Sequence, residues 1–218
     1  MSVDPPAVGK RVIAVDGPAA AGKGTLARRL AAHFGLPYLD TGLLYRAAGR
    51  RALDAGLDPA DPAAAEIAAR ALAAADLARS DLRSPAVDRA ASLVAVHPGV
   101  RAALVAFQRA FAREGGAVLD GRDIGTVIFP DAAAKLFVTA GADARAQRRW
   151  LERRAAGVEV DLAQVAAEMR ARDALDAGRA AAPLRPAADA ATLDTTALDA
   201  DATFARALAI VRQRLGSA

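Results

Sequence analysis

Arg11-Val12-Ile13-Ala14-Val15, followed after Asp16 by Gly17-Pro18-Ala19-Ala20-Ala21-Gly22-Lys23-Gly24-Thr25, is the stretch that decides the fold. The first five residues are a β-branched apolar run bounded by a glycine-rich turn, which reads as a buried strand. From about Lys23 to Phe34 the apolar positions Leu26, Leu30 and Phe34 recur on one helical face, with Gly35 as the stop. Strand, glycine-rich turn, lysine and helix in this order form a phosphate-binding loop with the spacing GxxxxGK. Its glycines let backbone amides turn inward around phosphate oxygens, and the helix start adds partial positive charge. Lys23 supplies a mobile charge for the outer phosphates. As a helix-start lysine it is expected to be solvent-exposed when no nucleotide is bound, so that its removal costs little stability. The usual pattern places Ser or Thr directly after the lysine, for magnesium. Here Gly24 stands there and the hydroxyl comes one residue later, on Thr25.

Outward from this loop, Pro37-Tyr38-Leu39 reads as a second strand, with Thr41 capping a helix to about Ala55 and Gly56 closing it. Residues 60 to 76 read as one alanine-rich helix. Ser84-Pro85 opens another as cap and first residue, and Pro98 interrupts it before a continuation to about Arg113. Ala117–Asp120 and Lys135–Thr139 read as two more buried strands. Helices are expected at about 142–156 and 161–177, then a last strand near 191–194 and a final helix ending before Gly216. Strands alternating with helices imply an α/β fold with a parallel sheet covered on both faces.

Composition removes several classes of function. The chain has 218 residues, 54% hydrophobic, with no cysteine and two histidines, His33 and His97. A disulfide scaffold, a thiolate metal site, a cysteine nucleophile and a histidine-rich metal centre are therefore excluded. Alanine accounts for 62 residues, so much of the apolar fraction is helix-favouring filler. The net charge is +4, and all but three of the 29 basic residues are arginine, spread along the chain without interleaved aromatics. That distribution reads as a solvated surface and not as a polynucleotide-binding face. The segment Met1–Gly9 has no apolar signal region, and no run approaches ~18 large apolar residues, so a cytoplasmic protein without a membrane span is expected.

Asp40-Thr41-Gly42-Leu43-Leu44-Tyr45-Arg46 follows the second strand, and Asp120-Gly121-Arg122-Asp123-Ile124-Gly125 follows the third. Both lie where an open parallel sheet places its ligands, beyond the carboxyl ends of the strands. Arg172, Asp173, Asp176 and Arg179 put alternating charges at helical spacing, a pattern that simple surface pairs would also produce. Together these segments offer the arginines and carboxylates that phosphoryl transfer needs to neutralise charge on two substrates. Asp120 either orients magnesium-bound water or stabilises its turn. Trp150 reads as a packing residue, His33 as a surface or packing residue and His97 as a helix-end residue.

The stretches VDGPAAAGKGT, YLDTGLLYRAA, VDRAASLVAVHPGVR, LDGRDIGTVIFPDAAAKLFVTA, RAQRRW and RARDALDAGRAAAPLRPAADA run from about Val12 to Thr196. In them the chain resembles the bacterial cytidylate kinases, P-loop enzymes that phosphorylate CMP and dCMP with ATP. The resemblance implies a five-stranded parallel core at about 10–56, 113–141 and 180–218, a substrate-binding region at about 57–112 and a lid at about 142–160. It implies that Gly17 to Thr25 bind ATP with Mg²⁺, Thr25 and, through water, Asp120 being the metal candidates. It implies that Arg46, Arg122 and Arg179 hold the CMP phosphate, that Arg172 and Asp176 meet the sugar, and that Ser92, Arg101 and Asp123 read cytosine. Lys23 with Arg46, Arg122 and Arg179 would be catalytic, and the lid arginines Arg145, Arg148, Arg149 and Arg153 would close over the transferring phosphate. The partners implied are ATP and CMP or dCMP, acting on a monomer. Two departures stand out: only Asp76 to Ser84 remain of a β-rich insertion, and Ala19-Ala20 replace Ser-Gly, so Ala20 must make the turn without glycine's freedom. The alternatives are another small-substrate P-loop kinase, for UMP, AMP or a non-nucleotide alcohol, and a non-catalytic nucleotide-binding switch.

Overall fold

A computed structural model describes residues 11–113, 115–178 and 182–216. Its sheet has five strands in the order β2-β3-β1-β4-β5, namely β1 (Val12–Asp16), β2 (Tyr38–Asp40), β3 (Ala117–Gly121), β4 (Ala134–Thr139) and β5 (Ala191–Asp194). β1 lies parallel to both β3 and β4, and β4 parallel to β5. Central placement explains the apolar run Val12–Val15 in β1: all five residues of the strand, Asp16 included, are buried. Register pairs Asp16 with Gly121 on one side and with Phe137 on the other. β1 and β3 therefore end level while β4 runs on to Thr139, and the loops leaving them share one edge of the sheet.

Contacts group the chain into two units, residues up to Leu39 together with those from Ala112 onward, and Asp40–Phe111. In the first, α1 (Lys23–Phe34) and α9 (Ala200–Gly216) cover the sheet through Leu26, Leu30, Ala207 and Val211, against Ile13, Val15, Val118 and Leu136. Burying such side chains contributes about 1.5–3 kcal/mol each. α1 ends as its sequence anticipates, with Gly35 at φ +64 and its amide bonded to the Ala31 carbonyl. α7 (Ala142–Ala155) and α8 (Leu162–Ala177) pack on one another around Ala146, Val165 and Met169. Trp150 joins that cluster and donates its indole N–H to the Val160 carbonyl.

The second unit is helical: α2 (Thr41–Asp54), α3 (Pro62–Arg70), α4 (Ala74–Leu77), a 3₁₀ turn (Ser80–Arg83), α5 (Pro85–Val94) and α6 (Pro98–Phe111). α2, read from sequence as part of the core, packs with these helices. Alanine is more than filler here. Ala47, Ala48, Ala52, Ala65, Ala68, Ala69, Ala90 and Ala91 are buried, and a Cβ on Gly49 would lie 2.9 Å from Ala90. Small residues let α2 and α5 approach almost to backbone contact.

Several sequence expectations need correction. The helix expected over residues 60 to 76 is broken, because the Asp76 carboxylate turns back to accept the Ala73 amide at 2.8 Å and starts α4 anew. Thr41 is the first helical residue and not the cap; Asp40 occupies the cap position without a side-chain capping bond. α9 runs through Gly216. The closing role of Gly56 holds: at φ +66, it lets the Leu57 amide reach the Ala52 carbonyl. Ser84 caps α5 by accepting from the Val87 amide. After Asp40, which ends β2, no strand occurs among the described residues of the second unit.

Candidate active site

The phosphate loop joins β1 to α1 and is shaped by backbone sterics. Gly17 has φ +148, and a Cβ there would lie 1.9 Å from the Val138 carbonyl oxygen of β4, so only glycine fits. Gly22, at φ +89, starts α1. Ala20 takes φ +57, the left-handed conformation anticipated for it, at some cost to a residue with a Cβ. Ala19 and Ala20 both rest against the Val165–Met169 cluster of α7 and α8. The loop is held at its far side as well, since the Thr195 hydroxyl, just after β5, donates to the Ala21 carbonyl.

Lys23 is not solvent-exposed. It is buried, and its ammonium donates to the Pro18 carbonyl at 2.8 Å, folding back across the loop that it belongs to. Burial lowers its pKa to about 7; the Arg122 guanidinium pushes the same way, while Asp120 and Asp16 partly oppose it. The expectation of an exposed lysine overlooked how tightly a glycine turn wraps the first helical residue.

Asp120, the penultimate residue of β3, lies beside this lysine. It is buried, and its Oδ1 accepts from the Tyr38 hydroxyl at 2.9 Å. Thr25 is exposed at the start of α1. The described residues contain no cluster of three or more metal-ligating side chains. One hydroxyl and one carboxylate suit a magnesium ion carried by nucleotide phosphates and water, which needs no protein cage.

Beyond Asp120 the chain forms an unusual turn over Ile124–Ile128, closed by bonds from the Ile128 amide to the Asp123 carbonyl and from the Phe129 amide to the Ile124 carbonyl. This i→i+5 bonding is of π type, a geometry frequent at functional sites. Arg122 points to α8, where its Nε lies 2.7 Å from Asp176 Oδ2. Asp176 is nearly fully buried. Asp173, one turn earlier, takes both Nη atoms of Arg145, and Arg145 Nε donates to the Ala140 carbonyl. Asp173 and Asp176 of α8 are therefore each partnered by an arginine from another element. Arg172 is close enough to Lys23 to depress its pKa. Among the other lid candidates, Arg148 binds Thr195, while Arg149 and Arg153 pair with Glu152 and Glu168. Arg179 lies outside the described residues.

In the second unit Arg46 Nε donates to Asp88 Oδ1 at 2.9 Å, and the Ser92 hydroxyl donates to the Asp88 carbonyl at 3.1 Å. Arg101 is buried with its guanidinium over the Tyr45 ring at 6.0 Å. The sequence reading brought Arg46, Ser92 and Arg101 into play but passed over Asp88, which links two of them. It also passed over Asp16, a buried carboxylate with a pKa raised to about 6 by burial, against the pull of two amide hydrogen bonds. The signal was available: an aspartate directly after a fully apolar strand is a buried charge that must be satisfied by something distant. His97 meets the Pro59 carbonyl and His33 meets Arg212, both in structural roles.

Comparison with known proteins matches this arrangement to one family. The sequence profile of the cytidylate kinases fits residues 13–213. The chain is 66% identical to a cytidylate kinase of Granulibacter bethesdensis, over 93% of this chain and 97% of that one. It is 63% identical to one of Acidiphilium cryptum, over 94% of this chain and 96% of the other. Among solved structures, a gluconokinase from Sinorhizobium meliloti superposes with a TM-score of 0.52 at 15% identity, covering 96% of this chain and 95% of that one. An uncharacterised protein from Eubacterium ventriosum gives 0.53, also at 15% identity, over 92% and 98%. At such identities these two speak for the fold alone. The sequence matches reach further: they run from the first strand into the last helix, across both units and through the phosphate loop, and the chain belongs to the cytidylate kinase family.

Proposed function

We propose that the protein transfers the γ-phosphoryl group of ATP to CMP or dCMP, yielding ADP and CDP or dCDP. The observation that carries this reading is the family match along nearly the whole chain, joined to a phosphate loop whose lysine sits beside Asp120 and Arg122. An oxygen of the CMP phosphate attacks the γ-phosphorus as the bond to the β,γ-bridging oxygen breaks. That phosphate is already an anion at neutral pH, so no general base is needed. Catalysis is then positioning and charge neutralisation.

The loop Gly17–Thr25 wraps the ATP phosphates. Their arrival surrounds Lys23 with negative charge, which raises its depressed pKa and keeps it protonated during transfer. Thr25 and, through water, Asp120 would hold the Mg²⁺ that accompanies ATP. That ion supplies Lewis-acid polarisation of the phosphates when bound. Arg46, Arg122 and Arg179 take the CMP phosphate, Arg172 and Asp176 the sugar, and Ser92, Arg101 and Asp123 the cytosine. Arg122 Nε is bonded to the Asp176 carboxylate, which keeps the phosphate-binding and sugar-binding candidates side by side. Segment 57–112 supplies the substrate-binding region. Segment 142–160 supplies the lid, with Arg145, Arg148, Arg149 and Arg153. We read the enzyme as a cytoplasmic monomer that binds neither polynucleotide nor membrane; no single described helix is long and apolar enough to cross one.

Multiple-turnover ADP release with CMP, dCMP, UMP and AMP tests the reading, with CMP and dCMP expected to be the best acceptors. The base assignment is tested by Asp123→Ala. Ionised Asp123 can accept from the cytosine amino group but would face the carbonyl of uracil. The ratio of kcat/KM for CMP to that for UMP should fall toward one in the variant. An unchanged ratio would place base selection elsewhere.

A further inference from the structure

The buried carboxylate of Asp16 has no place in the reaction just described, yet its surroundings are built in detail. It is the last residue of β1, directly before the first glycine of the phosphate loop. Its two oxygens accept from successive backbone amides 108 and 109 residues away: Oδ1 from Ile124 and Oδ2 from Gly125, both at 2.8 Å. These are the first amides of the π turn. They have no acceptor within the turn, as at the start of any helical segment. The residue at the cap position, Asp123, makes no capping bond with its own side chain. Asp16 caps the turn from another strand.

Lys135 packs beside the same peptide. A Cβ on Gly125 would lie 3.1–3.2 Å from the Lys135 stem and 3.4 Å from Asp16 Oδ2. The Lys135 ammonium is itself fixed, donating to both oxygens of Asp189 and to the Pro130 carbonyl. The 124–125 peptide is thus gripped between a carboxylate and a tethered lysine stem. Further along, the Val127 and Ile128 amides donate to the Asp123 carbonyl and the Phe129 amide to that of Ile124.

We propose that Asp16 is a positioning residue, which locks the Arg122–Asp123 segment to the strand that carries the phosphate loop and so sets the acceptor-reading side chains against the donor phosphates. The assignment rests on the reading of Arg122 and Asp123 as CMP-binding residues. A bidentate carboxylate serves this better than a neutral side chain, because it satisfies two parallel N–H groups at once and charge-assisted bonds are the stronger kind. Asparagine offers one acceptor and would point an NH₂ group at the second amide.

The test compares wild type, Asp16→Asn and Gly125→Ala in the full-length enzyme; the second variant keeps the carboxylate but pushes the peptide away from it. Steady-state kinetics with CMP and UMP, the ATP KM, the unfolding midpoint and amide exchange at Ile124 and Gly125 are measured for each. Both variants are expected to lower kcat with CMP by about 10- to 100-fold and to reduce the CMP to UMP preference, with the ATP KM within about twofold of wild type. Amide exchange at 124 and 125 should accelerate in Asp16→Asn while the rest of the sheet stays protected. A folded Asp16→Asn enzyme with wild-type kcat and base preference overturns the proposal. So does a loss that is equal for both acceptors and for ATP and merely follows the unfolding midpoint. Should Asp16→Asn not fold, Gly125→Ala decides by the same criteria. If wild type itself does not phosphorylate CMP, the functional reading fails first, and slow wild-type exchange at both amides would still separate the clamp from that failure.

Discussion

Charged residues around the phosphate loop and those on the surface of the helical unit live under opposite rules. Around the phosphate loop they are buried beside one another and pushed toward neutrality: Asp16 up to about 6, Lys23 down to about 7. In the helical unit they pair at the surface and are pushed away from it. Arg79 holds Asp81 down to about 2, and Arg50 holds Asp54 below the usual carboxylate range. In the first region desolvation outweighs pairing; in the second pairing is the larger effect. The lesson is that the loop region keeps buried charges that phosphate would compensate. Its lysine and arginine repel each other, whereas Arg79, Asp81 and Asp54 of the helical unit pair with opposite charges.

The strongest way to break this contrast is Lys23→Met. Turnover should fall about 10²–10³-fold, the scale for losing one preorganised donor, while the unfolding midpoint should rise. Removing a buried ammonium that burial and Arg122 disfavour is worth a few kcal/mol, from a shift of this size. The lost bond to Pro18 takes back only about 1 kcal/mol. The sign is checked by pH: a lysine with a lowered folded pKa carries its full penalty below about 7 and loses it toward its ordinary value of 10.5. Wild type should therefore gain on the variant as pH rises through that window. A midpoint that drops at pH 7 would show that the loop tolerates its charge without strain.

Arg122→Ala and Arg46→Ala sharpen the comparison by removing one arginine from each region. Each should raise the KM for CMP by about 10- to 100-fold, the equivalent of a charge-assisted contact, and leave ATP binding nearly unchanged. Their stability effects should differ. Arg122 leaves behind Asp176, whose side chain is 3% exposed, whereas Asp88 is 16% exposed and can hydrate. Thermal denaturation of the two variants measures the gap; equal losses would remove burial as the distinguishing factor.

Ala20→Gly probes strain in the loop itself. Relief of the left-handed alanine should raise stability by about 0.5–1 kcal/mol, reduced by whatever its methyl contributes against the α7–α8 cluster. A midpoint rise of about 1–3 °C is expected for a chain of this size. A fall would mean that the methyl contact outweighs the backbone cost.

The smallest effect is expected from Asp81→Asn in the helical unit. Its ion pairs are exposed, so stability should drop slightly at low ionic strength and recover in salt. Because the folded pKa is depressed to about 2, this contribution is present above about pH 4 and lost as pH falls through 2. Asp16 has the reverse sign: its raised pKa means that stability falls as pH rises from about 4 to 6. Titrating Asp81→Asn and Asp16→Asn against wild type should give slopes of opposite direction. A common slope would erase the distinction between the regions.

Much of the fold was legible because its signals are local. An apolar β-branched run, a glycine turn and a period-3.6 face follow each other within 25 residues of Arg11, and they specify strand, loop and helix without reference to anything distant. The glycine stops at Gly35 and Gly56 and the Ser84 cap were read for the same reason. The break near residue 71 was not, because alanines continue through it and the interruption comes from a carboxylate reaching back to the Ala73 amide, a choice that propensity does not weigh. Candidate site residues were legible as types: arginines and aspartates after strands two and three.

By itself, then, the sequence determined the order of elements, the phosphate loop and the residue types around it, since these depend on backbone sterics and periodicity over a few residues. The tertiary structure alone decided which charges meet. That Lys23 is buried, that Arg122 holds Asp176, that Arg145 holds Asp173 and that Asp16 caps a turn more than a hundred residues away are matters of through-space distance. Desolvation and Coulomb energy depend on that distance and on the surrounding dielectric, and no pattern along the chain encodes either.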